Sequence, residues 1–186
     1  MAGVDRTAGN EILTSGTALV LTILLAGEGI TLLTLDSTLS LHMFIGLLLV
    51  PPVLLKLAST GYRFVRYYTR SPAYVEKGPP LIGLRLLAPV LVATTVLVLA
   101  SGIALMVVGH RSDALLQIHK VSFVIWGATF AVHFLAHLPR AVGAIGRRGV
   151  PGARARAGVV VGAIVAGIGV AVALLPLISD FDRARF

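Results

Sequence analysis

The sequence predicts an all-α integral membrane protein of five transmembrane helices, four of them forming a bundle from a duplicated helix pair. Three observations carry this expectation. The chain of 186 residues is 56% hydrophobic and only 13% charged, with a mean hydropathy of +0.92. A soluble domain is roughly a quarter charged and has no single core able to hide so much apolar surface. A lipid exterior removes that conflict. Second, five apolar stretches each reach the roughly 20 residues needed to cross a hydrocarbon layer. Third, the basic residues gather in alternate connections between those stretches.

The spans are expected at about 11–35, 39–62, 81–109, 114–138 and 157–178. Asp36-Ser37-Thr38 reads as a short, cap-like link between the first two. Gly78-Pro79-Pro80 closes the next loop and starts the third span, and Asp113 caps the fourth. Gly149-Val150-Pro151-Gly152 breaks the chain before the fifth. Pro51, Pro52, Pro89 and Pro176 fall inside spans, which membrane helices tolerate and strands do not.

Orientation follows from the loops. Arg63, Arg66, Arg70 and Lys77 follow span two, and Arg140, Arg147, Arg148, Arg154 and Arg156 follow span four, on the same side as Arg6. The opposite loops hold Asp36 in one, Arg111 and Asp113 in the other. The positive-inside rule then places the N-terminus in the cytoplasm and the C-terminus outside a cell membrane that the chain crosses several times. The net charge of +8 is therefore topological and does not indicate nucleic acid. Asp5 and Glu11 and the length of the first apolar stretch argue for a retained span over a cleaved leader.

All five histidines lie between residues 42 and 137. Aligning span two with span four sets His42 on His119, and without a gap Lys56 on His133 and Thr60 on His137. Gly29-Ile30 ahead of one and Gly102-Ile103 ahead of the other match loosely. A parallel two-helix repeat sets equivalent residues at equal depth, so His42 and His119 are expected to face each other near the outer surface. His133 lies further along the same face as His119, about 21 Å away along the axis. The chain has no cysteine, which excludes disulfides and thiolate ligation. Paired imidazoles in an apolar slot suit haem b, held without a covalent link. His42 and His119 each offer one imidazole to such a slot, with His133 and His137 as inner candidates. Gly46 and Gly127 would let a macrocycle approach the backbone, and Lys120 and Arg111 stand where propionates would emerge. One haem is expected. A second would need Lys56 to stand in for a histidine.

These residues resemble the bacterial cytochrome b561-like family of four-helix membrane cytochromes b. The resemblance covers about residues 11–140 and rests on His42, His119, the step from there to His133, and the glycines of Glu28-Gly29 and Ser101-Gly102. It implies that His42 and His119 are the iron ligands, with a bundle over residues 1–140, a basic cytoplasmic loop over 141–156, and a fifth helix with an outer tail over 157–186. It also implies an electron-transfer protein that relays electrons between a quinone pool and an oxidoreductase partner subunit. Such a protein is a subunit of an oxidoreductase more than a stand-alone enzyme, and no nucleophile motif or phosphate loop argues otherwise. Two other classes fit the composition: a haem-free transporter using Glu28, Lys56, His133 and His137, and a structural anchor. Span five, rich in Gly, Ala and Val, reads as a packing helix for a partner or a second copy.

Overall fold

The computed structural model describes residues 7–79, 81–110, 112–145 and 150–184. Among these the chain is helical and has no strand. The elements are α1 (Ala8–Thr31), a single 3-10 turn (Leu32–Thr34), α2 (Leu35–Tyr68), the short α3 (Pro72–Glu76), α4 (Ile82–Val108), α5 (Asp113–Ile145), α6 (Ala153–Ala173) and α7 (Leu175–Ala184). Four stretches are long and apolar enough to cross a membrane: Ala8–Tyr68, Ile82–Val108, Asp113–Pro139 and Ala153–Ala173. The first, 61 residues long, folds back on itself at the 3-10 turn, so that α1 and α2 lie antiparallel. Asn10 Nδ2 donates to the Ser59 carbonyl at 3.2 Å, and further along Glu28 meets His42 at 3.1 Å.

α4 and α5 form a second antiparallel hairpin, joined midway by Trp126 Nε1 donating to Thr95 Oγ1 at 3.1 Å. The two hairpins close a ring in which α1 touches α2, α2 touches α4, α4 touches α5, and α5 touches α1. Across the diagonal, α2 and α5 never bring a Cα pair within 8 Å among the described residues. They run in the same direction with a gap between them. Large apolar side chains such as Leu33, Leu86, Val124, Leu135 and Val165 point outwards and are exposed.

α6 lies outside this ring, against α1 and α2. Its approach to α2 depends on Gly167, where a Cβ would run into the Leu48 carbonyl. Small residues permit this backbone-to-backbone contact. Met43, Leu47 and Leu48 of α2, Met106 of α4, Ala171 of α6 and Ile178 of α7 form the principal core.

Several boundaries differ from the sequence expectation. The reversal between the first two helices is Leu32–Thr34, and Asp36 to Thr38 already lie in the first turns of α2. The Thr38 hydroxyl reaches back to the Thr31 carbonyl at 2.8 Å. α2 continues past Tyr62 to Tyr68, and α5 runs through Pro139 to Ile145. The fifth span does not run unbroken to Ile178: α6 stops at Ala173 and α7 starts at Leu175. Pro176 sits in the first turn of α7, where its missing N–H has no partner to lose. α7 is amphipathic. It lays Ile178 and Phe181 on the core, accepts from Ser40 Oγ through Asp182 at 2.8 Å, and leaves the Asp180–Arg183 pair exposed.

Candidate functional site

His42 and His119 meet in the diagonal gap. Their ring centroids are 6.4 Å apart and the rings are perpendicular. His42 stands on the second turn of α2 and His119 on the second turn of α5, so both come from the same end of the bundle. Each ring is held through Nδ1 by its own hairpin. His42 Nδ1 lies 3.1 Å from Glu28 Oε1 and 3.0 Å from Thr31 Oγ1. The Thr31 hydroxyl gives its proton to the Glu28 carbonyl at 2.6 Å and so accepts from the imidazole. His119 Nδ1 lies 3.0 Å from the Val98 carbonyl and 3.1 Å from Ser101 Oγ. A carbonyl can only accept, so the proton of His119 is on Nδ1.

Both rings thus share one tautomer, with the proton on Nδ1 and the lone pair on Nε2. Neither Nε2 has a hydrogen bond among the described residues. An imidazole held this way is prepared as a metal ligand, because its other N–H is fixed by a carboxylate or carbonyl. The 6.4 Å between ring centroids brings both imidazoles within reach of one metal ion.

The repeat reappears in the residues that hold the rings. Glu28 precedes Gly29 and Ser101 precedes Gly102, and each of these matched residues meets the histidine of the following helix. The glycines are not equivalent in space. A Cβ at Gly102 would come 3.2 Å from His119 Cε1, whereas a Cβ at Gly29 would meet nothing within 4 Å.

The remaining candidates fall in different places. Gly46 lies under the Glu28 carboxylate, whose Oε1 would be 3.5 Å from a Cβ there. Gly127 faces open space, with nothing within 4 Å of a Cβ. Lys120 is exposed, and Arg111 lies outside the described residues. His110 is exposed and turns Nδ1 to the Val108 carbonyl. His133 and His137 stack on each other at 4.3 Å, at the other end of α5 and away from the His42–His119 pair. Lys56 donates to the Thr14 carbonyl at 2.9 Å.

Sequence reasoning gave Glu28 a role only in the haem-free transporter and did not join it to His42. It missed Thr31, Ser101 and the Val98 carbonyl. The signal for Glu28 and Ser101 was their shared place before the matched glycines. For a backbone carbonyl there is no sequence signal. No group of three or more His, Cys, Asp and Glu gathers around one point among the described residues. No family model, curated protein or solved structure matches the chain.

Proposed function

We propose that the chain is a multi-pass membrane protein that crosses the bilayer five times, through α1, α2, α4, α5 and α6, and carries electrons on one haem b held by His42 and His119. The observation that carries the reading is the His42–His119 pair, with both Nδ1 atoms tied back and, among the described residues, both Nε2 atoms without a hydrogen bond, in a gap between helices with no Cα pair within 8 Å. The donor set fits the group: neutral imidazoles, an apolar setting, and a glycine beside one ring.

Haem supplies one-electron chemistry at an iron whose protein ligands tune its potential. The chain's own residues do the rest. Glu28 and Thr31 fix the orientation and tautomer of His42, and the Val98 carbonyl and Ser101 do so for His119. Glu28 places a carboxylate behind one ligand, where Ser101 places a neutral hydroxyl behind the other. If both imidazoles held the iron, a substrate would find no open position there, which would favour electron transfer over catalysis at the metal. The arginine-rich loops support a cytoplasmic N-terminus, an outer C-terminus and a haem near the outer face. On this reading electrons pass between a membrane quinone and an oxidoreductase partner.

The test is an absorption spectrum of the purified, haem-supplemented protein. A Soret band and a reduced α-band of the b type are expected, at one haem per chain. His42→Ala and His119→Ala should each remove them, and His110→Ala should not. A colourless protein after haem supplementation would refute the reading.

A further inference from the structure

We propose that Lys56, Thr14 and His133 form a second binding site, for an oxyanion such as a phosphate, at the end of the α2–α5 gap opposite the histidine pair. Lys56 follows His42 on α2 by the same step that separates His133 from His119 on α5. Both therefore lie about 21 Å from the first site along the same two diagonal helices. α1 completes the cluster through Thr14.

The arrangement has unspent polar capacity. The Lys56 ammonium donates to the Thr14 carbonyl at 2.9 Å. No carboxylate meets it among the described residues. Glu11, one turn before Thr14 on α1, is held in an ion pair by Lys77. Thr14 Oγ1 and His133 Nδ1 are buried and have no hydrogen-bond partner. His137 does not supply one: its ring stacks on His133 and its Nδ1 turns to the His133 carbonyl at 3.0 Å.

A cation and two unpartnered polar atoms, brought in by three helices, are costly in an apolar bundle. All three groups can donate: the ammonium, the imidazole N–H and the hydroxyl. One ligand answers all of them, an anion with several acceptor oxygens. A neutral carbonyl would leave the charge unmatched. The phosphate of an anionic lipid and free inorganic phosphate share this chemistry, and basic pockets between helices on the cytoplasmic side suit the former. The inference uses the membrane reading but not the haem.

The experiment places the full chain in nanodiscs of phosphatidylcholine. Inorganic phosphate is titrated into one set, and phosphatidylglycerol is doped into another, with the thermal midpoint as readout. Ligand that binds only the folded state raises that midpoint. A rise with phosphate in pure phosphatidylcholine identifies a soluble anion, and a rise only with phosphatidylglycerol identifies a lipid. Lys56→Met, and separately the pair Thr14→Val with His133→Leu, should weaken the effect at least about tenfold. Arg63→Gln, which removes surface charge only, should keep it. The proposal is overturned if neither probe stabilises the wild type, or if the core variants respond as it does. Should Lys56→Met fail to fold, the Thr14/His133 pair decides. The haem band reports separately on the His42–His119 reading, so the two fail independently.

Discussion

If His42 and His119 hold a haem as proposed, replacing Gly102 with valine should expel it or weaken its binding, while the same change at the repeat partner Gly29 should not. A Cβ at Gly102 would stand 3.2 Å from Cε1 and 3.5 Å from Nδ1 of His119. Alanine therefore asks the ring to give by a few tenths of an ångström. Valine adds two further methyl groups and cannot be met by so small a shift. The ring has little freedom to yield, since the Val98 carbonyl and Ser101 hold its Nδ1 at 3.0 and 3.1 Å. Overpacking of this kind costs about 1–3 kcal/mol. If that cost falls on the ligand geometry, haem affinity drops about 5- to 150-fold. Gly102→Ala should sit at the low end. At Gly29 a Cβ meets nothing within 4 Å, so haem affinity should stay within about twofold of the wild type. The assay is a titration of apoprotein with haem, followed at the Soret band. Wild-type affinity in Gly102→Val, or equal loss in Gly29→Val, would refute the placement of His119 against α4.

Other consequences follow from the same geometry. Glu28→Ala leaves Thr31 as the one partner of His42 Nδ1 among the described residues and should cost about 10- to 100-fold in haem affinity, measured by the same titration. Glu28→Gln, which keeps a group able to accept the hydrogen bond, should cost less. Gly167→Ala drives a methyl group into the Leu48 carbonyl and must part α6 from α2. Unfolding in detergent should then show a loss of about 1–3 kcal/mol, with the haem spectrum of the folded fraction unchanged. Reporter fusions should place the N-terminus and the 69–79 loop in the cytoplasm and the C-terminus outside. An extracytoplasmic 69–79 loop would reverse the topology.

The helices were legible because each is a local property. A run of about 20 apolar residues has to satisfy its own backbone, and in an apolar setting a helix does so within the segment. For the same reason the ends were less legible. Pro139 does not stop α5, and the apolar residues of 157–178 do not reveal the break at Leu174. That break depends on Ile178 and Phe181 turning to cover Met43, Leu47 and Met106. The short α3 was also unseen, since so brief a helix carries no periodic signal.

By itself the sequence determined where the histidines stand along their helices, because a step counted in residues becomes the same axial rise in any packing. It also determined the match of Glu28-Gly29 with Ser101-Gly102. Only the tertiary structure decided that α2 and α5 are diagonal, that His42 and His119 meet at 6.4 Å, and that Lys56 reaches Thr14. Helix neighbours are chosen by contacts between distant residues, such as Gly167 against Leu48 and Trp126 against Thr95. The same holds for the partners that orient the rings, one of which is a backbone carbonyl that any residue at position 98 would supply.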